Sequence, residues 1–198
     1  AAQRMAHRLH WRVSHGMCAE LQILEESSQT REGLLARFRR AGSRSSQGGA
    51  RHPAIDPGLP AVLVASMAFW EGVDLAGDVL QLLVIDKLPF PPPDDPIMAM
   101  RARRLTSQGL DAFTQGFLPE AELALKQGVG RLIRSSSDQG VVVLGDRRLM
   151  TRDYGMRLLG SLPAHRQLVS EMEMQTELDR LKLTRASTRD RLPSGSPG

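Results

Sequence analysis

The chain has 198 residues, 41% of them apolar, with a single cysteine and a formal net charge of +4. One thiol excludes an internal disulfide and fits a reducing, cytoplasmic compartment, and no apolar stretch approaches the ~20 residues that span a bilayer. This length carries one domain plus appendages, and the basic balance favours polyanionic partners without choosing among them. The N-terminus holds no signal-peptide core and begins at Ala1 rather than Met, so a piece of a longer protein is expected.

In chain order, residues 1–26 read as helical, because Met5, Leu9, Val13 and Met17 recur about every four residues, with His15 and Gly16 able to end the first helix. His7, His10, His15 and Cys18 imitate metal-ligand spacing. On a helix His7 and His10 are neighbours while His15 points elsewhere, so solvated histidines on a basic helix are the better reading. Leu21 to Leu24 form a short apolar piece before a second helix that Ser28 or Thr30 can cap, with Leu34, Leu35 and Phe38 on its apolar side. Residues 41–60 shift to Gly, Ser, Pro and Arg without periodicity, a flexible loop longer than ordinary connections.

Three apolar runs follow: Ala61 to Ala65, Leu82 to Ile85, and Val141 to Leu144. They are rich in branched residues and do not alternate with polar ones, as in parallel strands covered on both faces. Helical segments separate them, which predicts an open α/β sheet whose ligands sit beyond the carboxyl ends of the strands. Ser66 to Asp74, Asp86-Lys87, and Asp146 to Arg148 all occupy such places. Within the first, Glu71-Gly72-Val73-Asp74 is either an ordinary capped turn or a glycine-opened approach with a carboxylate for a ribose hydroxyl or neighbouring arginines.

Leu88 to Pro96 holds five prolines and predicts a stiff, extended connector. It leads into a helix over Ile97 to Leu110, on which Arg101, Arg103 and Arg104 cluster; a solvated basic face and a phosphate contact both fit them. No alternating aromatics signal base stacking. Pro119 to Arg134 reads as one helix of about four turns, with Pro119, Glu120 and Glu122 at its start. Gln127, Arg131 and Arg134 share one stripe, and Leu125, Val129 and Leu132 share another roughly 200° away. The helix therefore has a side to bury and a side offering one amide and two guanidiniums. Gly128 and Gly130 each cost about 1 kcal/mol inside a helix, which argues for packing or close approach of a ligand. A final helix is expected over His165 to Leu183, followed by a disordered Ser/Pro/Gly-rich end from Arg185.

Gln127 to Arg134 has the form Q-x-x-G-R-x-x-R and resembles the last motif of superfamily 2 helicases. Phe69-Trp70-Glu71-Gly72-Val73-Asp74 resembles the motif before it. With Lys87-Leu88-Pro89-Phe90, Pro93, Asp95-Pro96, Asp146-Arg147-Arg148-Leu149 and Tyr154-Gly155 in the same order, the chain is similar to the second motor domain of DinG-type helicases, bacterial relatives of the XPD helicases. The likeness runs from about Ala61 to Pro163, with a weaker echo over Leu21 to Arg40, where it implies a short strand before an S-x-x-x-L-L-x-x-F-R-type helix.

That resemblance implies a RecA-like α/β fold over residues 1–163, N-terminally truncated, with residues 164–198 as a terminal helix and tail. It implies ATP with Mg²⁺ bound mainly by a missing first motor domain, which would also carry any iron–sulphur cluster. Arg131 and Arg134 would reach the β/γ-phosphates with Gln127 lining the cleft, and Glu71, Gly72, Asp74 and Gly130 would lie on the ATP side. Ser66, Arg101 and Arg104 would lie towards single-stranded or forked DNA. No G-x-x-x-x-G-K-[ST] and no D-E-x-H occurs, so the chain alone is expected neither to hydrolyse ATP nor to unwind DNA. The rival reading is a non-catalytic RecA-like fragment that binds only nucleic acid or a partner.

Overall fold

The computed structural model describes residues 2–14, 21–26, 30–42, 60–70, 80–132 and 138–189. The chain divides into two compact units, Ala1–Leu80 and Gln81–Gly198.

In the first unit, helix α1 spans Ala2–Ser14 and ends just before His15-Gly16. Its buried residue is Ala6, fully enclosed, whereas Met5 is 37% exposed. The periodicity of 1–26 predicts a helix through residues 22–25, but they are extended, as the family resemblance over Leu21 to Arg40 implies. They form strand β1 (Gln22–Glu25), which pairs in parallel with β2 (Ala61–Val64) in the register Gln22↔Ala61 to Glu25↔Val64. Pairing with a non-local strand overrides local helical periodicity here. Parallel strands need a crossover, and helix α2 (Arg31–Gly42) lies between them in sequence. Thr30 caps it, its Oγ1 accepting from Gly33 N–H at 3.3 Å. Leu34, Leu35 and Phe38 of α2 are buried with Leu24 and Phe69 in one core. Residues 43–59, most of the expected flexible loop, lie outside the described residues.

In the second unit, β3 (Leu82–Ile85) and β4 (Val141–Leu144) pair in parallel from Leu82↔Val141 to Ile85↔Leu144. All three apolar runs are strands, and together with β1 they make two parallel two-stranded ladders among the described residues, one in each unit. β3 is not covered on both faces: Leu82 and Val84 are 38% and 52% exposed while Ile85 is buried.

Between these strands run helix α3 (Pro96–Ser107), a π-helical turn (Phe113–Phe117) and helix α4 (Leu118–Gly130). Asp95 caps α3 by accepting from Met98 N–H at 2.9 Å, with Pro96 in the first turn. The Asp-Pro pair that closes the proline-rich connector is therefore also the helix start. The chain turns after α3 at Gly109, whose φ of 74° suits glycine.

After β4 come two short helices, α5 (Arg148–Thr151) and α6 (Gly155–Gly160). A Cβ at Gly155 would lie 1.9 Å from the Leu149 carbonyl oxygen, so no larger residue fits that corner. Helix α7 spans Glu171–Arg189, starting later and running further than His165 to Leu183. Ser170 Oγ accepts from Glu173 N–H at 3.2 Å while Glu173 accepts from Val169 N–H at 2.8 Å, a reciprocal start signal overlooked by the periodicity reading. Leu181 is buried, but Met172, expected on the same stripe, is 80% exposed. Residues 185–189 are helical rather than disordered.

Candidate functional site

The carboxyl ends of β3 and β4 lie side by side, since Gly145 N–H donates to the Ile85 carbonyl at 2.9 Å. Asp86 and Lys87 leave β3 there, both exposed, beside Asp146 leaving β4. Asp146 is the organising group, its side chain only 8% exposed. Its Oδ2 accepts from Leu88 N–H at 2.9 Å and from Arg148 Nη2 at 2.6 Å; its Oδ1 accepts from Arg148 N–H at 3.0 Å. Arg148 Nε bridges both oxygens. These bonds from Arg148, then the backbone donors, hold the Asp146 carboxyl well below the usual carboxylate range, against the opposing effect of burial. The same pairing raises Arg148 above its ordinary value.

Arg148 also lies over the Phe90 ring, 5.2 Å from its centroid. Phe90 stacks on Phe113 at 5.7 Å, and Tyr154 meets Phe113 at 5.2 Å and Phe90 at 5.8 Å. An open cleft of about 370 Å³ is lined by Phe113, Thr114, Arg148, Arg152, Asp153 and Tyr154. Sequence reading missed this cluster. Phe90 and Tyr154 stood within motifs quoted for the family likeness, but the signal that joins them to Phe113 is spatial only.

Helix α4 buries Leu125 and Val129 at 0% and 5% exposure, and Leu132 in the turn after it is 4% exposed, so the stripe expected to face inward does so. Gln127, on the other side, is exposed and Arg131 half-buried. The helix stops at Gly130 instead of Arg134, tightening as Arg131 N–H bonds to the Gly128 carbonyl and Leu132 N–H to that of Val129. Successive low-propensity glycines explain the early stop. Gly128 is buried, but a Cβ at Gly130 would meet nothing within 4 Å. Glu122 accepts from Lys126 at 3.0 Å and from Arg157 at 3.3 Å, and the Lys126 bond is the main reason its carboxyl lies below the ordinary value.

The model of the helicase C-terminal domain family matches residues 2–165. The chain belongs to that family. Its α/β architecture is accordingly RecA-like, as the parallel strands and their flanking helices indicate. It is 53% identical over 103 residues to the ATP-dependent DNA helicase YoaA of Escherichia coli, covering 52% of this chain and 16% of that protein. It is 43% identical over 112 residues to the 3′-5′ exonuclease DinG of Bacillus subtilis, covering 57% and 12%. It is 40% identical over 119 residues to the ATP-dependent helicase DinG of Mycobacterium tuberculosis, covering 60% and 18%. The chain thus matches less than a fifth of the length of each of these relatives.

Within this helicase domain, the expected site residues divide. Gln127, Gly130 and Arg131 cluster at the end of α4. Glu71, Gly72, Asp74 and Arg134 lie outside the described residues, as do His15 and Cys18. Ser66 is exposed after β2, its N–H donating to Glu26 Oε2 at 2.7 Å. Arg101 is ion-paired with Glu120, so α4 supplies a counter-charge to the basic face of α3, whereas Arg104 is exposed. No described helix is long and apolar enough to cross a membrane.

Proposed function

We propose that this domain is the second motor half of an ATP-dependent DNA helicase, working with a first motor domain elsewhere in a longer cytoplasmic protein. In this reading ATP lies between the two domains. The first contributes the phosphate loop and the groups that hold Mg²⁺, and carries any iron–sulphur cluster. Arg131 and Arg134 contribute guanidiniums to the β/γ-phosphates, Gln127 lines the cleft, and Glu71, Gly72 and Asp74 approach the nucleotide from the motif after β2. Ser66 and Arg104 face single-stranded or forked DNA, with Arg101 a weaker contributor because Glu120 already engages it.

The observation that carries this reading is the division of α4. Its apolar stripe is buried, which leaves Gln127 and Arg131 on the outer flank, and open space over Gly130 gives a phosphate room to approach the backbone. Guanidiniums placed there offset charge that develops during phosphoryl transfer, an effect of about 10³–10⁵ in rate in nucleotide hydrolases. Their dependence on domain closure would convert hydrolysis into steps along a strand.

The test uses the longer protein with both motor domains. Arg131→Ala and Arg134→Ala should each lower kcat for DNA-stimulated ATP hydrolysis by about 10³, while affinity for single-stranded DNA stays within a few-fold. Turnover within tenfold of wild type for both variants would overturn the roles given to Arg131 and Arg134, and a wild-type protein without DNA-stimulated hydrolysis would leave only the non-catalytic binding module standing.

A further inference from the structure

The cleft beside Asp146 and Arg148 has features that phosphate chemistry does not require. Two aromatic rings distant in sequence, Phe113 and Tyr154, line it, and Phe90 packs against both, with centroids 5.2 to 5.8 Å apart. Phe113 is backed on one side by Phe90, at an interplanar angle of 29°, yet remains 37% exposed. Large exposed aromatic surface at a cleft marks a contact site more often than a packing residue. The backbone that presents it is a π-helical turn (Phe113–Phe117), a local distortion found often at functional positions. Arg148, locked by Asp146, lies over Phe90 and also lines the cleft, as does exposed Arg152. The cleft volume of about 370 Å³ falls within the usual ligand range of about 300–1,000 Å³.

We infer that this cleft is a stacking subsite for one unpaired base of a nucleic-acid strand, with Phe113 and Tyr154 against the base and Arg152 near its phosphate. The inference deepens the DNA-binding part of the proposed function and rests on it. Every base has a π-face, so such a subsite tolerates sequence while holding the strand in register. An apolar protein side chain would fit the rings equally well, but it gains nothing from arginines on both sides of them. The rim carboxylate of Asp153, which accepts from Tyr154 N–H at 3.0 Å, repels a phosphate on its own side and so assigns the phosphate to the Arg152 edge.

The test is fluorescence anisotropy of the 198-residue chain with labelled oligothymidylate and with an abasic strand of the same length, which keeps the phosphates and lacks the bases. The base-bearing strand should bind about tenfold more tightly, as one stacked base at about 1.4 kcal/mol requires. Phe113→Leu and Tyr154→Leu should erase that ratio, whereas Arg152→Ala should weaken both strands alike. Photocrosslinking wild type to a bromodeoxyuridine strand should label a peptide containing Phe113 or Tyr154, which keeps the test decisive if a variant fails to fold. Equal affinity for both strands, a ratio that survives both substitutions, or crosslinks only elsewhere would overturn the subsite and leave the DNA reading intact. Binding of neither strand would remove both. Displacement of the strand by micromolar thymidine monophosphate would reassign the cleft to free nucleotides.

Discussion

Asp146 shows how much one carboxylate can organise when its donors come from two segments. It accepts from Leu88 N–H after β3 and from Arg148 after β4, so neutralising it loosens both strand ends together. Because its folded-state pKa is depressed, its stabilising contribution is fully present above the ordinary carboxylate value of about 3.9 and is lost as pH falls below it. Asp146→Asn should therefore lower stability by about 1–2 kcal/mol near pH 7, a modest figure because Arg148 is partly solvated. The gap in Tm from wild type, read by circular dichroism, should narrow steadily between about pH 5 and pH 2. A constant gap would place the carboxylate outside the stability balance. Gly130 carries the opposite prediction. Nothing among the described residues occupies its missing side-chain position, so Gly130→Ala should stabilise the fold by about 0.5–1 kcal/mol. The same change in the longer protein should raise KM for ATP or lower kcat if the backbone must approach a phosphate there. Unchanged kinetics would assign that glycine to the helix end alone.

Among the elements, α4 joins the domain core to its candidate chemistry. Leu125 is fully buried, while Leu123, two residues earlier, is 53% exposed. Leu125→Ala should cost about 2–5 kcal/mol in denaturant unfolding, and Leu123→Ala no more than about 0.5 kcal/mol. Similar costs at the two positions would mean that the helix sits at another rotation, which would also move Gln127 and Arg131. The inner stripe of this helix was legible because heptad-like spacing of apolar residues leaves one solution for a helix that must bury something. Its end was not, since two glycines near a terminus shift the stop by whole residues without altering the pattern. The terminal helix failed in a related way. Leu168, Met172, Leu178 and Leu181 suggested a stripe, but only Leu181 is fully buried, and the Ser170–Glu173 capping pair set the start instead. In a charged helix with so few apolar residues, caps carry more information than periodicity.

For the whole molecule, the decisive expectation is incompleteness of function. The 198-residue chain carries no phosphate-loop or acidic motif, so phosphate release from ATP in the presence of single-stranded DNA should not exceed the protein-free rate. Turnover that Arg131→Ala abolishes would show that the chain contains a complete site after all. The amino-acid sequence alone determined the α/β class, the positions of β2, β3 and β4, the buried stripes of α2 and α4, and the family to which the domain belongs. The class, strands and stripes follow from local composition and spacing, which survive without knowledge of neighbours, and the family follows from the resemblance of ordered motifs to those of known helicases. Only the tertiary structure decided that 22–25 pairs in parallel with β2, that Arg101 is engaged by Glu120, and that Phe90 packs against Phe113 and Tyr154 beside the cleft that Arg148 lines. Each of these depends on partners many residues away, and no one-dimensional pattern specifies which distant side chains the folded backbone brings within contact.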